Sequence, residues 1–261
     1  MHLPIYQIDA FTSRVFGGNP AAVCPLDEWL PDETMQAVAA ENNLSETAFF
    51  CAEGDGYALR WFTPAVEVDL CGHATLASGF LLLTDLTPGV EEVEFSSRSG
   101  PLRVTRCGGD IFSLDFPVQP PEPSEAPPGL ADALSAAPAA VLRSGDRLLA
   151  VFESSAHVSE LQPDMAAVAR IAPGGLTVTA PGNDHDFVSR HFAPSKGIPE
   201  DPVTGSTHTA LTPYWAGRLG KTEFRAAQLS ARGGELQCRL EGDRVRIAGR
   251  AVLYMKGHIF L

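Results

Sequence analysis

Seven residues of the chain could move a proton or hold an anion: Glu46, Cys71, Gly72, His73, Asp201, Gly205 and Ser206. Gly72 and Gly205 each precede a run of small and apolar residues, Gly72–Leu83 and Gly205–Trp215, that reads as a helix. The first amides of a helix lack internal partners, and the helix dipole adds positive potential there. A glycine lets the backbone approach a ligand closely. Two such starts could converge on a small carboxylate with no lysine involved. The alternative is two ordinary helix caps, Ser206 being a normal capping residue.

Glu46 is the candidate proton carrier. Leu44–Ala48 lines up with Leu176–Ala180, which sets Glu46 against Val178. A strand position that takes valine in one place and glutamate in another points inward. An inward carboxylate is costly unless it has a task, and desolvation raises its pKa toward neutrality. A one-residue slip would instead make it a solvated strand residue. His73 could donate a hydrogen bond or carry a proton, or serve as a cap or a packed histidine. Asp201 lies in the turn-rich Glu200–Ser206 loop and is either a site carboxylate or a simple Asp-Pro turn residue. Cys71, just before a helix start, could have a lowered pKa and act as a base. A two-base racemase would want a second cysteine opposite, which the matching loop lacks, so Cys71 reads better as a small buried residue.

The elements that must position these groups come twice. Arg60-Trp-Phe-Thr-Pro64 and Arg190-His-Phe-Ala-Pro194 share the form RxFxP, and each is followed by a polar loop, a glycine and an apolar run. Leu30–Ala39 resembles Leu161–Ala169, and Ser97–Val104 resembles Ser230–Gln237. Matches in one order at similar spacing imply a duplication. Strands are expected at 3–8, 20–25, 46–51, 58–62, 90–96, 101–106 and 111–116. Helices are expected at 32–42, with Asp32 as N-cap, and at 73–84, buried because it is apolar nearly all round. The helix from Ser206 is its counterpart, with Pro213 able to kink it. The pattern predicts a mixed α/β (α+β) fold of two similar domains: residues 1–116, a proline-rich crossover at 117–129, and residues 130–261, with the last strand free to return to the first domain.

The 261 residues are 44% apolar and 20% charged, with a formal net charge of −13, an ordinary globular composition with an acidic surface. That charge argues against nucleic acid as partner. Five scattered cysteines exclude a complete disulfide framework, and no CxxC zinc or redox motif occurs. His157, His185, His191 and His208 form no metal spacing; GxGxxG, GK[ST] and GxSxG motifs are lacking, so no metal, nucleotide or flavin is expected. The start MHLPIYQIDAF does not read as a signal peptide, and the apolar stretch at 76–83 is too short for a bilayer. The expectation is a cytoplasmic protein with no membrane partner.

Asp9-Ala-Phe-Thr12, Gly18–Val23, Asn43–Phe49, Arg60–Pro64, Cys71-Gly-His-Ala-Thr75 and Glu200–Ser206 together resemble the PhzF-like family, within the diaminopimelate-epimerase superfamily. The resemblance runs over nearly the whole chain. It implies two domains, each a curved sheet around a central helix, with the site in the cleft between them. It implies a cofactor-free, usually dimeric isomerase of a small carboxylic acid. The family's acid/base glutamate falls on Glu46, and its other site residues on His73, Asp201 and Ser206. Its carboxylate contacts fall on the loops around Gly72 and Gly205. Cys71 stands where the epimerase relatives have one catalytic cysteine, and their other has no equivalent here. The alternatives are an amino- or hydroxy-acid epimerase or racemase, and a non-catalytic metabolite-binding protein.

Overall fold

The computed structural model describes residues 2–261. The chain forms two units, Met1–Asp115 with Ala248–Leu261, and Phe116–Ile247. In the first unit the elements are β1 (His2–Ala10), β2 (Asn19–Leu26), α1 (Asp32–Asn42), β3 (Glu46–Glu53), β4 (Gly56–Phe62), β5 (Glu67–Val68), α2 (Gly72–Leu81), β6 (Glu92–Ser96), β7 (Leu102–Arg106) and β8 (Ile111–Pro117). The second unit holds β9 (Glu122–Pro123), α3 (Leu130–Leu134), β10 (Ala140–Ser144), β11 (Arg147–Val151), α4 (Ser155–Glu160), α5 (Met165–Ile171), β12 (Leu176–Pro181), β13 (Phe187–Ala193), β14 (Ile198–Asp201), α6 (His208–Leu219), β15 (Glu223–Gln228) and β16 (Gly234–Glu241). β17 (Arg244–Phe260) begins in the second unit and ends in the first, where it pairs with β1. None of the helices of the described residues is long and apolar enough to cross a membrane.

Both units follow one strand plan. β1 runs antiparallel to β2, β2 parallel to β3, β3 antiparallel to β4, β4 parallel to β6 and β6 antiparallel to β7. In the same order, β10 runs antiparallel to β11, β11 parallel to β12, β12 antiparallel to β13, β13 parallel to β15 and β15 antiparallel to β16. The repeated RxFxP arginines make the same contact. Arg60 grips Glu67 through Nε–Oε1 at 2.7 Å and Nη2–Oε2 at 2.8 Å, and Arg190 grips Glu200 at 2.7 and 3.0 Å. Such two-pronged pairs fix geometry as well as charge. Here each ties its RxFxP strand to the strand that leads into a glycine-started turn, the first of α2 or the 3₁₀ turn before α6.

A strand has two faces, and in β3 each meets a different helix. Phe49 and Cys51 pack with Met35 and Val38 of α1. Glu46, Ala48 and Phe50 therefore face the opposite side, where α2 packs on β1, β2, β3 and β7. From Gly72 to Gly79 every residue of α2 is buried, as its all-round apolar sequence requires. Gly79 allows that closeness: a Cβ there would lie 2.5 Å from Cγ1 of Val104 on β7.

Three local expectations need correction. Asp32 is the first helical residue of α1, not its cap; Pro31 is the N-cap, and Asp32 instead accepts from Arg60 Nη1 at 2.9 Å. The central helix starts at Gly72 and ends in a π turn, Leu82–Leu86. Its counterpart α6 starts at His208, after a 3₁₀ turn over Gly205–Thr207. The proline-rich stretch carries β9, paired with β10 in the second unit. Pro213 stays within α6, because the Thr209 carbonyl that its missing N–H leaves open accepts from the Gln119 amide at 3.0 Å.

The alignment of Glu46 with Val178 is also overturned. Phe49 lies opposite Arg60, and Val178 lies opposite Arg190. Counting back from those matched arginines, Glu46 corresponds to Gly175. Val178 packs in the cluster that includes Val158 of α4 and Val168 of α5, as Phe49 packs with α1. Glu46 still faces inward, but for a reason of strand parity that the letter match missed.

Candidate active site

In the first unit three chain segments meet around one imidazole. α1 ends at Asn43 in the left-handed conformation (φ 50°), which asparagine tolerates, and its N–H bonds Ala39 O at 3.1 Å. That reversal places Glu46 as the first residue of β3. Asn42 Nδ2 steadies the corner by donating to Thr47 Oγ1 at 3.1 Å. Gly18 (φ +60°) turns the chain into β2, and a Cβ there would collide with the Ala10 carbonyl at 2.0 Å. Asn19 follows, fully buried. From the third direction, extended Cys71 (φ −142°) precedes α2, and Cys71 O accepts from Thr75 N at 3.1 Å.

His73 sits where these meet, 4% exposed. Its Nε2 is 3.3 Å from Glu46 Oε2. Its Nδ1 is 3.2 Å from Asn19 Nδ2 and 3.4 Å from Cys71 Sγ, and the Pro20 carbonyl also bonds the ring. Burial pushes its pKa down to about 3, so the imidazole is neutral at ordinary pH. A neutral ring has one N–H and one acceptor nitrogen. It can orient a carboxyl group on its Nε2 side, but it does not itself gain a charge. The Glu46 side chain is only 12% exposed.

Glu46, Cys71 and His73 are the group of possible metal donors among the described residues, their ligand atoms within 4.8 Å of one another. Their contacts nevertheless fall on opposite ring nitrogens, glutamate at Nε2 and cysteine at Nδ1. One ion can take only one of the two ring nitrogens, so the arrangement is a row of close contacts through the imidazole. Beside it, α2 opens with no side-chain cap and no acidic residue in its first turn. The first turn is thus suited to an anionic group.

In the second unit, Asp201 ends β14, 9% exposed. Its Oδ2 accepts from Thr204 Oγ1 at 2.5 Å, and its carbonyl accepts from Gln228 Nε2 at 2.7 Å. Gln228 Oε1 in turn accepts from Thr204 N at 2.8 Å, locking the loop. Gly205 is buried, and Ser206 lies in the 3₁₀ turn, where its Oγ accepts from Arg147 Nη1 at 2.9 Å. The structure therefore gathers Glu46, Cys71, Gly72 and His73 in one unit and Asp201, Gly205 and Ser206 in the other.

Three polar residues at these places were not singled out from the sequence. Asn19 lies inside a quoted motif, Gly18-Asn-Pro20, and could have been found there. Gln228 and Arg147 carry no motif, and only strand pairing brings them to the second helix start.

The family model described as "Phenazine biosynthesis-like protein" matches residues 8–257. An uncharacterized isomerase of Pseudomonas aeruginosa is 54% identical over 261 residues, covering 100% of both chains. The crystal structure of a phenazine biosynthesis protein of the PhzF family from Enterococcus faecalis superposes with a TM-score of 0.96 at 46% identity, covering 100% of both. A probable proline racemase from Agrobacterium radiobacter, solved with bound carbonate, shares the fold at a TM-score of 0.69 and 11% identity, covering 99% of this chain and 93% of that one.

Proposed function

The chain belongs to the phenazine biosynthesis-like (PhzF) family, and from that premise we propose that it is an isomerase of a small carboxylic acid, working by proton transfer at carbon through Glu46. The observation that carries this reading is the inward Glu46 carboxyl, 3.3 Å from a neutral His73 at the uncapped start of α2. The Glu46 carboxylate takes a proton from an activated C–H. The electron pair left on carbon spreads into the adjoining π system, and amides at the helix start stabilise the negative charge on oxygen. Glu46, now a carboxylic acid, returns the proton to another carbon. No electrons leave the substrate, so the reaction needs no redox partner. His73 holds the Glu46 carboxyl in place through both halves of the cycle. Asp201 and Ser206 are proposed as substrate-orienting groups on the resemblance alone, as is assembly into a cytoplasmic homodimer.

A metabolite mixture incubated with the enzyme in deuterated water tests this. Wild type is expected to place deuterium in a carboxylic acid and to shift its double bond. Glu46→Gln is expected to lose at least about 10³-fold in label uptake. Undiminished uptake by the variant removes Glu46 from the mechanism.

The 3.4 Å contact between Cys71 Sγ and His73 Nδ1 supports a second reading, in which Cys71 is one base of an epimerase or racemase. Label entering an α-carbon with inversion, and lost in Cys71→Ala, would establish it.

A further inference from the structure

Comparing the two strand plans position by position exposes a residue that no motif marks. On β2, Ala21 lies beside Glu46. On β11, Leu148 lies beside Leu176, the counterpart of Thr47, so Arg147 stands where Ala21 stands and Gly175 where Glu46 stands. The loops agree. Glu67 and Glu200 both grip the RxFxP arginine, and five residues after each comes the glycine, so Ser206 stands where His73 stands. The first copy thus has an acid beside a histidine, and the second has a cation beside a serine. A plan that folds with Ala21 does not need arginine at this place for its strands.

Arg147 is half-buried on the face of β11 turned toward α6, since Leu148 and Ala150 pack on the other face. Among the described residues, no carboxylate lies within ion-pair distance of its guanidinium; Asp201 and Asp146 act on it only through their charge. With Ser206, Gln119 and Thr177, and with the apolar Leu149 and Ala210, it lines a small pocket behind the 3₁₀ turn. Its Nη1 donates to Ser206 Oγ at 2.9 Å. A guanidinium only donates, so Ser206 must accept from it, and the hydroxyl hydrogen is left to point elsewhere. Ser206 is then a donor to whatever meets the turn, with a positive charge directly behind it.

We propose that Arg147 is a positioning and specificity residue: acting through Ser206, it makes the Gly205–Thr207 turn select a carboxylate over an uncharged group of the same shape. The proposed isomerase reading enters only in taking the ligand to be a carboxylic acid. The cation offsets the desolvation of an anion, whereas an uncharged amide gains little from it.

Titration of the full-length protein with benzoate and with benzamide, followed by the shift in thermal unfolding midpoint, tests this. Wild type is expected to prefer benzoate by at least about tenfold. In Arg147→Gln that preference is expected to shrink to about twofold, with benzamide affinity kept. Arg147→Lys, which retains charge but not the fork that holds Ser206, is expected to fall between, and it gives the answer should the glutamine variant not fold. Equal loss of both ligands would mark a merely structural role and overturn the proposal. So would an unchanged preference in a folded variant, or no preference in wild type. Glu46→Gln is expected to keep the benzoate preference. Label uptake by Glu46→Gln would therefore refute the catalytic reading without touching this one, and the two failures are distinguishable.

Discussion

His73 holds one ring proton, and burial decides its work. With its pKa pushed down to about 3, it does not titrate near neutrality. In the proposed mechanism it steers Glu46 and does not shuttle protons in its place. His73→Asn is therefore expected to lower the rate of label uptake about 10²-fold while leaving the shape of the pH–rate profile between pH 5.5 and about 8 unchanged. A profile that loses an ionisation near pH 6.5 in the variant would show the ring charging in the wild type. Cys71 touches the same ring, at Nδ1 where Glu46 meets Nε2, and is 6% exposed. Cys71→Ala is expected to retain label uptake to within about threefold, because a small buried residue replaces another. A loss of more than about 100-fold would move the thiol into the chemistry.

At the scale of elements, a site residue is placed by the helix or strand that carries it, so a clash remote from the site should reach it. Gly79 faces Val104 across α2 and β7, and a Cβ at Gly79 would meet Val104 Cγ1, Cβ and Cγ2 at 2.5, 2.6 and 2.8 Å. Val104 is fully buried and cannot swing into solvent. Gly79→Ala is expected to destabilise by about 1–3 kcal/mol in urea titrations, against the small gain alanine brings to an exposed helix site. It should also lower activity by pushing the Gly72–His73 turn outward. The elements themselves were legible wherever one residue type dominates the physics. Asp32–Asn42 reads as a helix from its periodicity, the 73–84 run reads as buried because it is apolar nearly all round, and RxFxP marks equivalent strands. Pairing was not legible. Leu44–Ala48 and Leu176–Ala180 agree in their letters, yet the hydrogen bonds count from the arginines and set Glu46 against Gly175. For the same reason Arg147 was missed: between a turn and an apolar run it looks like any solvated strand end, and its partner Ser206 is 59 residues away. The start of α6 was misplaced because a 3₁₀ turn and an α turn place much the same demands on a Gly-Ser-Thr sequence.

For the molecule as a whole, three buried imidazoles set the response to acid. His73, His191 and His208 are 4%, 5% and 0% exposed, and burial lowers their pKa values to about 3, 3 and 4. Unfolded, each titrates near 6.5. Between those values the unfolded chain binds more protons than the folded one, so stability falls as pH drops through 6.5 and goes on falling until the folded values are reached. Each histidine contributes a slope of up to about 1.4 kcal/mol per pH unit in that window. The carboxylates held low by ion pairs, Glu67 beside Arg60 and Asp186 beside Lys221, begin to act only as pH falls into the ordinary carboxylate range, so the histidines dominate between pH 6 and about 4.5. A typical domain has only ~5–15 kcal/mol in total, so urea unfolding at pH 7 and pH 5 should show a large loss. His208 Nδ1 donates to Thr204 O at 3.0 Å, a bond that an asparagine amide can replace without titrating. His208→Asn is accordingly expected to cut the slope by roughly one proton while leaving stability at pH 7 within about 1 kcal/mol. Stability that stays level from pH 7 to pH 5 would mean that the rings take up protons in the folded state, and with it the neutral imidazole assigned to Glu46 would fail.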